Sequence, residues 1–188
     1  MTEFVYKLNL PPLTEILLDS AKEKLFNAKN NAEHSHITNV NSYLKPEWLT
    51  FNGITWNFIS FFYKSNYTGL IHIDEQTRVY QAHERANWGI NWIHGGSGML
   101  EYWLPEDIIF SVPETDETGN YKRIQCSTTK LPYRTYNMLP GAYLVNASVP
   151  HRATGHHGRY AFSLRDDTKE NVKTWNTVVD IFKDFIVN

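Results

Sequence analysis

"LPGAYLVNASVPHRATGHHGRYAFSLR", residues 139–165, begins with a Pro-Gly turn and moves into "GAYLVNAS", a run of β-branched, aromatic and small residues that reads as a strand. His151 follows directly on Val149-Pro150, and Pro150 restricts the residue before it, so His151 leaves the strand in a defined direction. "RATGHHG" then predicts a tight turn, and "RYAFSLR" a second strand. In that second strand Arg159, Ala161, Ser163 and Arg165 alternate onto one face, and Tyr160, Phe162 and Leu164 onto the other. Two arginines on one face of a short strand are costly to bury without anionic partners.

The same pattern extends outward. "ITWNFISFFY", "TGLIHID", "ANWGINWI", "GMLEYWL" and "YKRIQCST" are short and rich in aromatic and β-branched residues, with Gly, Pro, Asn and Asp clusters between them. Strands at this spacing predict a mainly β core over about 54–165, built as a sandwich, barrel or jelly roll. Helices flank it. Pro12 suits a helix start, and Leu13, Ile16, Leu17, Ala21 and Leu25 recur at helical spacing, predicting a helix over about 12–30. Val172, Trp175, Val179, Phe182 and Ile186 form a stripe that predicts a second helix over about 168–187, with Asp167 and Glu170 as a capping-box-like pair. The Asn-rich stretch between the first helix and the core reads as a loop.

With 188 residues the chain is expected to form a single domain, 1–188, large enough to bury a core without disulfides. Cys126 is the single cysteine, which makes a reducing compartment the expectation, and no secretory leader is recognisable in "MTEFVYKLNLPPLTEILL". No apolar run approaches a bilayer-spanning length, so a cytoplasmic protein without membrane partners is expected. The net charge of -2, with both signs scattered, argues against a nucleic-acid footprint, although not against nucleic acid as an enzyme's substrate.

Chemistry concentrates in two places. In "GLIHID", residues 69–74, alternation puts His72 and Asp74 on one strand face, while Ile71 and Ile73 are expected in core packing on the other. A second histidine would complete the 2-His-1-carboxylate set that holds Fe(II) and leaves coordination positions open, and His151 is the candidate. Arg159 and Arg165 suit an anionic partner, because the planar guanidinium grips a carboxylate through two hydrogen bonds. Other candidates carry less. His34 and His36 have ligand spacing but sit in the expected loop. His156-His157 falls in the expected turn, and His83 and His94 have no partner pattern. Asp107, Glu114, Asp116 and Glu117 read as a solvated acidic loop within 105–121. Trp56, Trp88, Trp92 and Trp103 serve either packing or a cleft wall. Cys126 has no activating arrangement and reads as a structural thiol.

The order of His72-x-Asp74, "INWIHGGSGMLEYW", "PGAYLVNASVPH" and the arginine-led strand resembles the iron(II)/2-oxoglutarate-dependent dioxygenase superfamily over about 54–165. "VNASVPH" followed by "GRYAFSLR" is most similar to its asparaginyl/aspartyl β-hydroxylase and prolyl hydroxylase-like branches. The resemblance implies a double-stranded β-helix (a cupin-like jelly roll) with His72, Asp74 and His151 as iron ligands and Arg159 on the distal carboxylate of 2-oxoglutarate. Arginine at both ends of the strand also resembles the nucleic-acid demethylase branch, which puts Arg165 near the metal end as a second cosubstrate candidate. Asn91 stands where many relatives carry an asparagine, and Tyr102 is placed to offer a hydroxyl to the cosubstrate. The activity implied is hydroxylation of a C–H bond with O2, releasing succinate and CO2. A non-catalytic jelly-roll module that binds a metal or a small carboxylic acid would use the same residues.

Overall fold

The computed structural model describes residues 3–27, 34–37, 39–75, 88–110, 114–115, 122–165 and 173–187. The chain is mainly β and antiparallel. Its strands run β1 (Val5–Leu8), β2 (His34–Ile37), β3 (Thr50–Phe51), β4 (Ile54–Thr55), β5 (Phe58–Thr68), β6 (Ile71–Glu75) and β7 (Trp88–His94). They continue with β8 (Met99–Tyr102), β9 (Ile109–Phe110), β10 (Glu114–Thr115), β11 (Lys122–Ser127), β12 (Arg134–Asn137), β13 (Gly141–Asn146) and β14 (His151–Arg165). Among the described residues no helix is long and apolar enough to cross a membrane.

One strand organises the rest. The C-terminal half of β14 lies between β5 and β7, and pairing continues outward through β13 to β1 on one side and to β2 on the other. The N-terminal end of β14 lies instead between β6 and β8, with β11 beyond β6 and β12 beyond β8. A single strand therefore belongs to two sheet regions, and "RATGHHG" is not the tight turn expected. It stays in β14, where a register shift between His156 and Arg159, with Gly158 at φ 72°, absorbs the local change of direction. Glycine takes this left-handed conformation at no steric cost, which is how a bulge bends a strand without ending it.

Alternation along these strands builds two cores. Trp88, Ile90, Trp92, Leu144, Phe162 and Leu164 face outward onto the helices, where they meet Leu13, Ile16, Leu17, Leu44, Trp56, Val178 and Phe182. Val5, Ile93, Tyr143 and Val145 face inward and meet Leu100, Tyr102 and Met138 from the other region. Trp56, Trp88 and Trp92 thus serve packing, and Trp103 is buried with its indole N–H donating to the Lys130 carbonyl (3.0 Å). Ile71 and Ile73 differ from expectation. Both are half-buried and belong to neither core formed by the described residues.

The helices are shorter than the periodicity suggests. The first divides into α1 (Leu13–Ile16) and α2 (Asp19–Asn27), because Leu17 turns extended and forms a bridge to Leu44. "HSHI" is not loop: β2 pairs antiparallel with β5, so an open sheet edge overrode the polar context. The helix α3 (Pro46–Leu49) has no counterpart in the expected scheme, and near the C-terminus α4 (Trp175–Phe182) is capped by Thr174, whose hydroxyl accepts from the Thr177 N–H (3.2 Å). The Asp167–Glu170 pair, Val172, His83, Asp116 and Glu117 lie outside the described residues.

Candidate metal centre

His72 and His151 are opposite one another on β6 and β14, with ring centroids 4.5 Å apart. Asp74 follows two residues along β6 on the same face. One ligand atom from each of the three lies within 4.8 Å of the others, and all three residues are buried.

The rings are oriented by backbone. His72 Nδ1 lies 2.8 Å from the Leu70 carbonyl oxygen, and His151 Nδ1 lies 2.9 Å from that of Val149. A carbonyl oxygen only accepts, so each Nδ1 carries a proton and donates it, and each ring turns Nε2 toward the cluster. Both donors work two residues back along the chain, so the local strand geometry that presents each histidine also sets its tautomer. This outer hydrogen bond is the usual support of a metal-ligating histidine. His72 Nε2 then faces Asp74 Oδ1 at 3.2 Å. Two acceptors at that distance need a cation between them, either a proton or a metal ion. The donor set fits a 2-His-1-carboxylate ion site.

Charge around the site is arranged to keep Asp74 ionised. Burial alone would push its carboxyl up, but the Arg165 guanidinium, the His72 hydrogen bond and the two imidazoles outweigh it and hold the group well below the ordinary carboxylate range. Arg165 Nη2 donates to Asp74 Oδ2 at 2.9 Å, and Arg165 Nε to Ser163 Oγ at 3.3 Å. This leaves Asp74 Oδ1 as the oxygen on the histidine side. His151 moves the other way: burial and the neighbouring His72 push it down to about 4, against the opposing pull of Asp74, so it stays neutral and competent as a ligand.

The remaining sequence candidates fall at different distances from this centre. Arg159 is buried, its Nη1 donates to the Thr154 carbonyl, and its buried Nε has no hydrogen-bond partner. Among the described residues no carboxylate pairs with it, and burial pushes its guanidinium below the ordinary range. Asn91 sits opposite Ser163 on β7, on the inward face, with a buried Oδ1 that has no hydrogen-bond partner. Tyr102 is fully buried with its ring 5.7 Å from that of His151, and its hydroxyl donates to the Asn146 carbonyl (2.8 Å). Its one proton is thereby committed to the backbone, and burial first, then Tyr136 and Asp74, raises the phenol well above its ordinary value. His94 lies on the exposed end of β7 with its ring 6.0 Å from that of Tyr160. Cys126 is half-buried on β11, and burial pushes its thiol up to about 11.

Sequence reasoning missed the residues that make space. A Cβ on Gly89 would stand 3.0 Å from Ser163 Oγ and 3.1 Å from Arg165 Cγ. One on Gly98 would overlap the Thr154 carbonyl oxygen and reach within 2.6 Å of Arg159 Nη1. Glycine inside the strand-like runs "NWGINW" and "GGSGML" was the available signal of close approach. Compared by sequence, the chain matches no family model and no curated protein, so the functional reading rests on its own residues.

Proposed function

We propose that the chain is an Fe(II)- and 2-oxoglutarate-dependent oxygenase on a double-stranded β-helix, hydroxylating a C–H bond of its substrate with release of succinate and CO2. The observation that carries this reading is the pairing of a buried His72/Asp74/His151 ligand set with a buried Arg159, on the same strand as His151, that meets no carboxylate among the described residues. Isolated buried cations are expensive, so an anionic ligand is the natural complement of Arg159.

In this reading the bound iron supplies oxygen activation coupled to decarboxylation of the cosubstrate. His72 and His151 offer Nε2, and Asp74 offers Oδ1 while Arg165 holds Oδ2. Arg159 takes the distal carboxylate. Its guanidinium is turned back to the Thr154 carbonyl, and Thr154 stands three residues from His151, about 10 Å along an extended strand. A short linear diacid held at one end by Arg159 would have its other end toward His72, Asp74 and His151. Asn91 and Ser163 lie on the inward face along that route. Arg165 is therefore assigned to the carboxylate ligand and Arg159 to the cosubstrate.

The test is succinate release from 2-oxoglutarate with Fe(II), alongside the melting shift produced by Mn(II). Wild type is expected to show both, and His72→Ala neither. Equal succinate release from His72→Ala and wild type would refute the ligand assignment.

A further inference from the structure

Arg159 does not extend from its own position on β14. Its aliphatic stem passes Gly155, where a Cβ would lie 3.5 Å from Arg159 Cδ, and Nη1 ends at the carbonyl of Thr154, five residues earlier. Two contacts converge on that carbonyl and its residue, and a third holds Gly98 in place. The Met99 N–H donates to Thr154 Oγ1 at 2.9 Å, Gly98 packs so closely that any side chain would overlap the Thr154 oxygen, and the Met138 N–H donates to the Gly98 carbonyl at 2.8 Å. The segment Gly98–Met99 is thus pressed onto β14 at the acceptor that aims the guanidinium. It is held from behind by the residue after β12.

We propose that the backbone contact between Gly98 and Thr154 is a clamp that aims Arg159, and that Gly98 and Thr154 are positioning residues for the carboxylate of the bound acid. The inference rests on the assignment of Arg159 to the cosubstrate. Without the clamp the long side chain regains rotamer freedom, and the order it loses on binding weakens the acid. The clamp lies away from His72, Asp74 and His151, so the ion site keeps its ligands when the clamp is loosened. Fixing a guanidinium before the ligand arrives is the ordinary route by which a site gains affinity without a new contact.

The experiment is calorimetric titration of 2-oxoglutarate into the Mn(II)-loaded full chain. Wild type, Arg159→Ala, Gly98→Ala, the double variant and Thr154→Val are compared, with the Mn(II)-induced melting shift measured for each. Gly98→Ala is expected to weaken 2-oxoglutarate by roughly tenfold or more with the Mn(II) shift retained. It is expected to add nothing in the Arg159→Ala background, as a residue acting only through Arg159 must. Thr154→Val preserves side-chain shape and removes only the Met99 hydrogen bond, so it keeps the test decisive if Gly98→Ala does not fold; a severalfold loss is expected. Undiminished affinity in Arg159→Ala would overturn the cosubstrate assignment itself. Weakening by Arg159→Ala, with Thr154→Val unchanged and Gly98→Ala either unchanged or additive to Arg159→Ala, would overturn the clamp alone.

Discussion

Replacing Arg165 by Met removes the cation from Asp74 Oδ2 while keeping much of the side-chain volume. Asp74 and Arg165 are both buried and bonded at 2.9 Å, so the variant leaves a carboxylate in the interior without its guanidinium. Breaking a buried pair from one side typically costs about 3–5 kcal/mol. An independent ceiling agrees. Rather than remain charged, the carboxyl takes up a proton, and protonating at pH 7 a group that ordinarily titrates near 3.9 costs about 4 kcal/mol. For a chain of this size the loss corresponds to a fall in Tm of about 6–20 °C.

The pH dependence has a definite sign. In wild type the carboxyl is held below its ordinary value, so its stabilisation is complete above about pH 4 and is lost only as pH falls further. In Arg165→Met the carboxyl is raised, so the folded state binds a proton that the unfolded state releases, and the deficit shrinks as pH falls from 7 toward 4. Urea denaturation of both metal-free proteins at pH 7 and pH 5, followed by far-ultraviolet circular dichroism, reads the difference. His151 titrates in both proteins and largely cancels. A divalent ion should act as a substitute cation: at a hundredfold excess over its Kd, Mn(II) adds about 2.7 kcal/mol to whichever protein binds it. A deficit below about 1 kcal/mol at pH 7, or one that does not change between pH 7 and 5, would refute the view of Asp74 as a buried anion held by Arg165.

Three further outcomes are expected. His151 stays neutral in the fold down to about 4 whereas an unfolded histidine protonates near 6.5, so the unfolded state binds more protons between these limits. The metal-free protein should therefore lose up to about 3 kcal/mol as pH falls from 6.5 to 4, and a His151→Gln variant should show a flatter pH–stability curve over that window. Gly89→Val should weaken Mn(II) binding and destabilise the fold by about 1–3 kcal/mol, because its side chain meets Ser163 and Arg165; unchanged metal-induced melting would contradict the close packing there. Cys126, with its thiol pushed up to about 11, should alkylate with iodoacetamide at pH 8 roughly a hundredfold more slowly than an exposed cysteine, and unfolding should restore the ordinary rate.

The local pattern determined a good deal by itself. Period-2 alternation in "GLIHID" is enough to put His72 and Asp74 on one face, because adjacent side chains of any strand point opposite ways. The same rule put Arg159 and Arg165 together, and the apolar, β-branched runs marked the strand-rich core. Pro150 marked the start of the segment that delivers His151. What the sequence could not supply was register. His72 meets His151 only because β6 and β14 pair at those two residues, a long-range contact that no local spacing encodes. The division of labour between the arginines is likewise tertiary: Arg165 reaches Asp74 across 91 residues of chain, while Arg159 turns back to Thr154. "RATGHHG" looked like a turn because its glycines permit one, yet pairing with β5 on either side of the bulge keeps it extended. "HSHI" looked like loop until an open edge of β5 took it up. Residue types and alternation fixed which side chains could serve a site, and pairing between distant strands decided which of them meet.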